Sequence, residues 1–203
     1  MPNSESLPAS PSSGRRDIVV VGAKLGGVTA IAKIALSWPE HLPVSVIIAL
    51  GASHQPPAVV LQIIEGYAPV KVAYAVHGEA VRARRIYLSP PGKNLIVGTG
   101  GVLLLDDGNA FDMVKPSVNR LFAAAAAIYG QRVIGIVLSG NSADGAQGLL
   151  DIEAAGGVGI VQDPKDAAAE RMPKHALRGD HPHYCVKAAE MAGLVQELSE
   201  EPL

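Results

Sequence analysis

The chain has 203 residues, 48% of them hydrophobic, enough for one sizeable core and too few to expect two. Its formal net charge is -2, and it has no Lys/Arg run, which excludes nucleic acid as a default partner because phosphate neutralisation needs a basic face. A single cysteine, Cys185, excludes an intrachain disulfide, and no Cys/His spacing forms a zinc site. The expectation is therefore a cytoplasmic chain with no metal and no cofactor. Arg82, Arg84 and Arg85 cluster, but a solvated turn accounts for them.

Residues 1–16 are rich in Pro and Ser and read as a disordered leader, leaving residues 17–203 as one domain. The apolar run that follows is soon interrupted by Gly22, Gly26 and Gly27, too early for a secretory signal or a membrane insertion segment. Residues 18–21 predict a strand, the glycines a tight turn, and residues 28–36 a helix that Pro39 ends. A second strand is expected over 44–50, then a helix over 58–65 opened by Pro56 and Pro57 and stopped by Gly66. A third strand follows at 70–75. The short runs 85–88, 94–97 and 102–105, separated by Gly or Pro turns, read as a small antiparallel patch.

Residues 116–129 predict an alanine-centred helix closed by Gly130. Strands at 133–138 and 158–161 bracket a helix at 144–155, and a short helix at 173–177 comes next. A last strand at 183–185 and a helix at 187–198 complete the pattern. Near-continuous Val/Ile/Leu strands alternating with helices indicate an α/β fold: three layers, doubly wound, with a mostly parallel sheet and the small antiparallel patch.

In such sheets ligands gather beyond the carboxyl ends of the strands. Three loops fall there. Residues 22–27 (GAKLGG) place Lys24 between glycines two positions away on either side, the spacing of a nucleophile elbow with lysine in place of serine. Taken alone, such a turn equally serves helix–strand packing. Residues 51–57 (GASHQPP) carry His54, and residues 139–145 (SGNSADG) carry Asp144, which is placed to cap the helix that follows it. Ser53 and Ser142 sit in the same loops, where turn formation is their ordinary role.

The segments IVVVGAKLGG (18–27), Gly78-Glu79, IYLSPP (86–91), KPSV (115–118) and Leu121-Phe122 resemble the catalytic domain of the CheB-type protein-glutamate methylesterases. The segments VIGIVLSG (133–140), DGA (144–146), Gly148-Leu149, AGG (155–157), VQD (161–163) and Met172-Pro173 continue the resemblance in the same order, over residues 17–198. The resemblance implies hydrolysis of methyl esters on chemoreceptor glutamates by a serine, a histidine and an aspartate that orients the histidine. It also implies a chemoreceptor or a receiver domain as partner. The family's receiver domain is not expected here, as in stand-alone members.

Carried over position by position, the resemblance puts the aspartate at Asp144 and the serine at Lys24. The histidine position falls on Gly51 by ungapped count; a short shift would instead align His54-Gln55-Pro56-Pro57 with the family's His-x-Pro-Pro, and both remain open. Ala23, Leu25, Gly26 and Asn141 occupy the implied substrate and oxyanion region. Asn141 stands where the family more often has a bulky apolar residue, and Asp112-Met113-Val114 where it carries polar and basic ones.

Lysine cannot replace the serine. A triad needs a hydroxyl or thiol that an imidazole can deprotonate, and an amine that attacked an ester would end as a stable amide. The leading expectation is a catalytically inactive homologue that acts as a binding or regulatory module in chemosensory signalling; a further possibility is that the Lys24 ammonium fills the crevice and pairs with Asp144. One alternative is a residual or altered hydrolase using His54 and Asp144 with water, Ser53 or Ser142. Another is a nucleotide or anion binder at residues 22–27, although no full G-x-G-x-x-G or P-loop is present.

Overall fold

The computed structural model describes residues 14–51, 53–108, 115–178 and 182–203. Its first strand, β1 (Ile18–Ala23), is buried along its whole length, and α1 (Gly27–Leu36) follows after one tight turn. Next come β2 (Ser45–Leu50), α2 (Pro57–Tyr67), β3 (Lys71–Tyr74) and β4 (Arg85–Leu88). A hairpin of β5 (Asn94–Gly98) and β6 (Val102–Asp106) precedes α3 (Val118–Tyr129) and β7 (Val133–Val137). The chain ends with α4 (Ala146–Ala154), β8 (Val158–Gln162), α5 (Arg171–Arg178), β9 (Tyr184–Val186) and α6 (Met191–Glu200).

Seven strands form one parallel sheet in the order β3-β4-β2-β1-β7-β8-β9, and β5 and β6 make a separate antiparallel pair. Alternation along β1 explains the layers. Val19 and Val21 face a core with α1, α2 and α6, whereas Ile18 and Val20 face a second core with the hairpin, α3, α4 and α5. With a core on each face, a parallel strand can be apolar at every position, and each fully buried Val or Ile contributes about 1.5–3 kcal/mol.

Two expectations change in detail. The antiparallel patch consists of β5 and β6 only; residues 85–88 instead form a parallel strand between β2 and β3. Ile86, Tyr87 and Leu88 are all buried there, which a peripheral hairpin could not provide. The Tyr87 hydroxyl remains satisfied by accepting from the Arg82 amide at 3.0 Å and donating to the Ala80 carbonyl at 3.3 Å. Residues 1–13 of the expected leader lie outside the described residues. Within it, Arg15 bridges Pro202, the Leu203 amide donates to the Gly14 carbonyl, and Arg16 reaches Glu201 and the Leu198 carbonyl, so residues 14–16 pack against the chain's other end.

The order of the sheet fixes where a site can lie. From β1 the chain winds outward through β2, then crosses back to β7 on the other side of β1. The loops after β1 and β7 therefore diverge, and their carboxyl ends open a crevice at this reversal.

Candidate functional site

Lys24 closes the end of β1. Its amide donates to the Ser139 carbonyl across the crevice at 2.9 Å, and its carbonyl accepts from the Gly27 amide at 2.8 Å, which folds the turn. The flanking glycines have separate causes: a Cβ at Gly22 would strike the Val118 side chain, while Gly26 holds φ 78°, the left-handed region that favours glycine. The turn is also pinned from below. Ser139 is fully buried, its hydroxyl donates to the Leu25 carbonyl at 2.7 Å, and it accepts from the Ala169 amide at 2.9 Å.

The Lys24 side chain does not rise into solvent; the residue is 8% exposed. Its stem lies across Gly51, where a Cβ would come within 2.7 Å of Lys24 Cγ and 3.1 Å of Lys24 Cβ. On the other side, a Cβ at Gly140 would meet Met172 and lie 3.2 Å from Lys24 Cβ. Glycine at 51 thus makes room for the lysine stem, so the residue types at positions 24 and 51 are sterically linked.

At the end of that stem, Lys24 Nζ lies 2.9 Å from Asp144 Oδ2. The contact is a close ion pair whose angles are poor for a hydrogen bond, and among the described residues Nζ has no acceptor in hydrogen-bond geometry. Asp144 is committed elsewhere as well. Its Oδ2 accepts from the Val118 amide and its Oδ1 from the Asn119 amide, both at 2.9 Å, so the carboxylate caps α3 with both oxygens.

That capping corrects the expectation that Asp144 serves the helix after it. α4 begins only at Ala146, and its N-terminal amides are met by Asn119, whose side-chain oxygen accepts from Gly145 and Gly148 at 2.9 Å each. The two helices exchange caps: Asp144 satisfies α3 and Asn119 satisfies α4. No sequence signal pairs these residues, because capping by spacing is recognised only within one helix start. Ser142 does what a loop serine does, accepting from the Asp144 amide at 3.3 Å, and Ser53 accepts from the Gln55 amide at 3.1 Å.

The remaining candidates separate. Ala23 is fully buried in β1, Leu25 is 48% exposed on the outer side of the turn, and Asn141 is exposed in the β7 loop. His54 is exposed; among the described residues it makes no hydrogen bond to Asp144, although it lines the same cleft as Lys24. This cleft, about 510 Å³, runs from the turn along α1 and α2, with Leu25, Val28, Lys33, Leu36, Ile63 and Tyr67 among its walls. Asp112, Met113 and Val114 lie outside the described residues.

Behind the β7 loop, a polar relay holds Ser139 in place. Its amide donates to Gln162 at 2.9 Å, and Gln162 donates to Asp166 at 2.8 Å. The Ala188 amide, above all, with Gln162 and Lys33 in support, holds the Asp166 carboxyl below its ordinary range against the opposing effect of burial. Sequence reading missed Asn119, Gln162 and Asp166 as supports of the site.

No group of three or more His, Cys, Asp or Glu side chains suited to a metal occurs among the described residues, and no helix there is long and apolar enough to cross a membrane. The turn, residues 22–27, carries no hydroxyl, and its central side chain is a buried cation paired with Asp144.

Comparison with known proteins places this geometry. The CheB methylesterase family matches residues 19–195. A protein-glutamate methylesterase/protein-glutamine glutaminase of Anaeromyxobacter dehalogenans is 35% identical over 185 residues, which cover 85% of this chain and 51% of that protein. A Leptospira interrogans protein assigned the same two activities is 27% identical over 187 residues, 92% of this chain and 97% of its own. The chain thus spans nearly all of one relative and about half of the other. Among solved structures, the Thermotoga maritima CheB methylesterase catalytic domain superposes with a TM-score of 0.85 at 24% identity, covering 92% of this chain and 99% of that one, which establishes the shared fold.

Proposed function

Since the chain belongs to the CheB methylesterase family, we propose that it is a methylesterase-type domain, residues 17–203, that binds chemoreceptor glutamyl side chains without hydrolysing them. In this reading Lys24 stands at the serine position and Gly51 at the histidine position, and the domain regulates cytoplasmic chemosensory signalling by occupying a receptor or a receiver domain. The observation that carries it is the 2.9 Å approach of Lys24 Nζ to Asp144 Oδ2, made by a side chain whose stem fills the space over Gly51. A triad needs three groups in series, and here the nucleophile position holds a cation while the aspartate is committed to that cation and to two backbone amides.

The test is hydrolysis of a glutamyl methyl ester peptide, followed as methanol release. The wild-type chain is expected to give none above buffer. The double variant Lys24→Ser with Gly51→His removes the stem and supplies an imidazole in the room it leaves. Recovery of turnover in the double variant, but in neither single one, supports the reading; clear turnover by the wild type refutes it.

One observation favours a second reading. His54 lines the cleft beside Lys24, so an altered hydrolase could use it to activate water. That reading requires wild-type hydrolysis that His54→Ala abolishes.

A further inference from the structure

Two helices near the end of the chain sort their charges by sign. α5 carries Arg171, Lys174, His175 and Arg178 and no aspartate or glutamate, whereas α6 carries Glu197 and Glu200 and no lysine or arginine. On a chain with a net charge of only -2, interspersed signs are the ordinary arrangement, because they avoid single-sign fields. Local pairing accounts for part of the set: Lys174 is bonded to Glu170, and Glu201, just past α6, is paired with Arg16. Arg171, Arg178, Glu197 and Glu200 are exposed, and none of the four has an ion-pair partner among the described residues.

Helix electrostatics oppose three of these four. Arg171 opens α5, where the macrodipole disfavours a cation, and Glu197 and Glu200 lie in the last turn of α6, where it disfavours an anion. No acidic residue offsets the first turn of α5, and no basic residue offsets the last turn of α6. Charges held against local preference mark a surface that serves something other than the helix carrying it.

The two faces lie on opposite sides of the sheet. α5 packs through Met172 and Ala176 into the core it shares with α3 and α4, whereas α6 packs through Met191, Ala192, Val195 and Leu198 into the core on the other side. One chain cannot bring its own basic face to its own acidic face, but two copies can. We infer that the α5 face of one copy docks on the α6 face of the next, a head-to-tail contact between copies of this chain. Such a contact uses two different patches and leaves one of each unfilled, so it propagates beyond a dimer unless it closes into a ring. Exposed ion pairs contribute little singly, so the association is weak and sensitive to salt.

Sedimentation velocity on the full chain over a range of concentrations tests this. At about 10 mM salt, where the screening length is about 30 Å, the weight-average mass should rise with concentration; at about 1 M, where that length is about 3 Å, the chain should be monomeric. The double variants Arg171→Glu with Arg178→Glu, and Glu197→Lys with Glu200→Lys, should each be monomeric alone at low salt. Mixed in equal amounts they should associate again, since the first keeps the acidic face and the second the basic one. The α6 variant also removes charges that oppose its helix dipole, so it should melt no lower than the wild type, which separates loss of association from loss of folding. A wild-type chain that stays monomeric at low salt overturns the inference, as does association that salt leaves unchanged or variants that stay apart when mixed. Binding of a poly-glutamate peptide by a chain that does not self-associate would assign the α5 face to an acidic segment of another protein and overturn the assignment to a second copy.

Discussion

The loop after β7 and the loop after β2 flank the same crevice, but they are built differently. Asp144, in the first, holds two amides of α3 and the Lys24 ammonium, and the loop's origin is tied through Ser139 to Gln162 and the β1 turn. In the second, Gly51 is buried and bonded to the Ala23 carbonyl, but Ser53, His54 and Gln55 are exposed, with one short turn contact between them. A carboxylate at 144 is required by the fold whether or not chemistry takes place. The side chain at 54 carries no such structural duty, whereas position 51 is held to glycine by the Lys24 stem beside it.

The largest test of this contrast is Asp144→Ala. It removes the acceptors of the Val118 and Asn119 amides, leaving α3 only its Ser117 cap, and leaves the Lys24 ammonium buried without its counter-charge, a combination expected to cost about 3–5 kcal/mol by urea denaturation. A loss near zero would remove the structural account of that loop. Gly51→His comes next. With Lys24 present, the new Cβ meets the lysine stem, and overpacking of this kind costs about 1–3 kcal/mol. In a Lys24→Ala background, which removes the 2.7 Å contact to Cγ, the same change should cost less, so a double-mutant cycle should give a coupling of about 1 kcal/mol or more. Additive effects would break the steric link between the two positions.

A smaller effect follows from Asp166 in the relay behind the β7 loop. Its carboxyl is held below the ordinary value of 3.8 in the folded chain, chiefly by the Ala188 amide. The folded state thus binds fewer protons than the unfolded one in mild acid. The associated stability is complete above the unfolded value and is lost as the pH falls through the lower, folded one. Asp166→Asn should flatten the acid limb of a stability-against-pH curve, and an unchanged limb would assign the sensitivity elsewhere. The smallest effect is at His54, where replacement of an exposed loop side chain by Ala should move stability by no more than about 0.5 kcal/mol in thermal denaturation.

Much of the fold was legible in the residues because parallel strands buried on both faces must be apolar at nearly every position. Runs such as 18–21 and 133–138 declare themselves on that ground. Residues 85–88 were misassigned to the antiparallel patch because four apolar-rich residues between turns look alike in a hairpin and in a sheet. Only burial from both sides distinguishes the two. The glycine-framed Lys24 was equally visible, since the turn is local and its spacing lies within six residues. Asn119 was invisible as a support of the site because its partners, Gly145 and Gly148, lie more than twenty residues away.

What the sequence by itself determined, then, is the alternation of strands and helices, the three loops at the strand ends and the cation at the centre of the first turn. These follow from short-range rules of periodicity, turn geometry and side-chain chemistry. Only the tertiary structure decided that Asp144 caps α3 rather than α4, that the lysine stem lies over Gly51, and that Lys24 pairs with Asp144. Each of those depends on how β7 and α3 pack against β1, and hydrogen-bond partners and steric clashes across a crevice are set by distances in space that the order of residues does not fix.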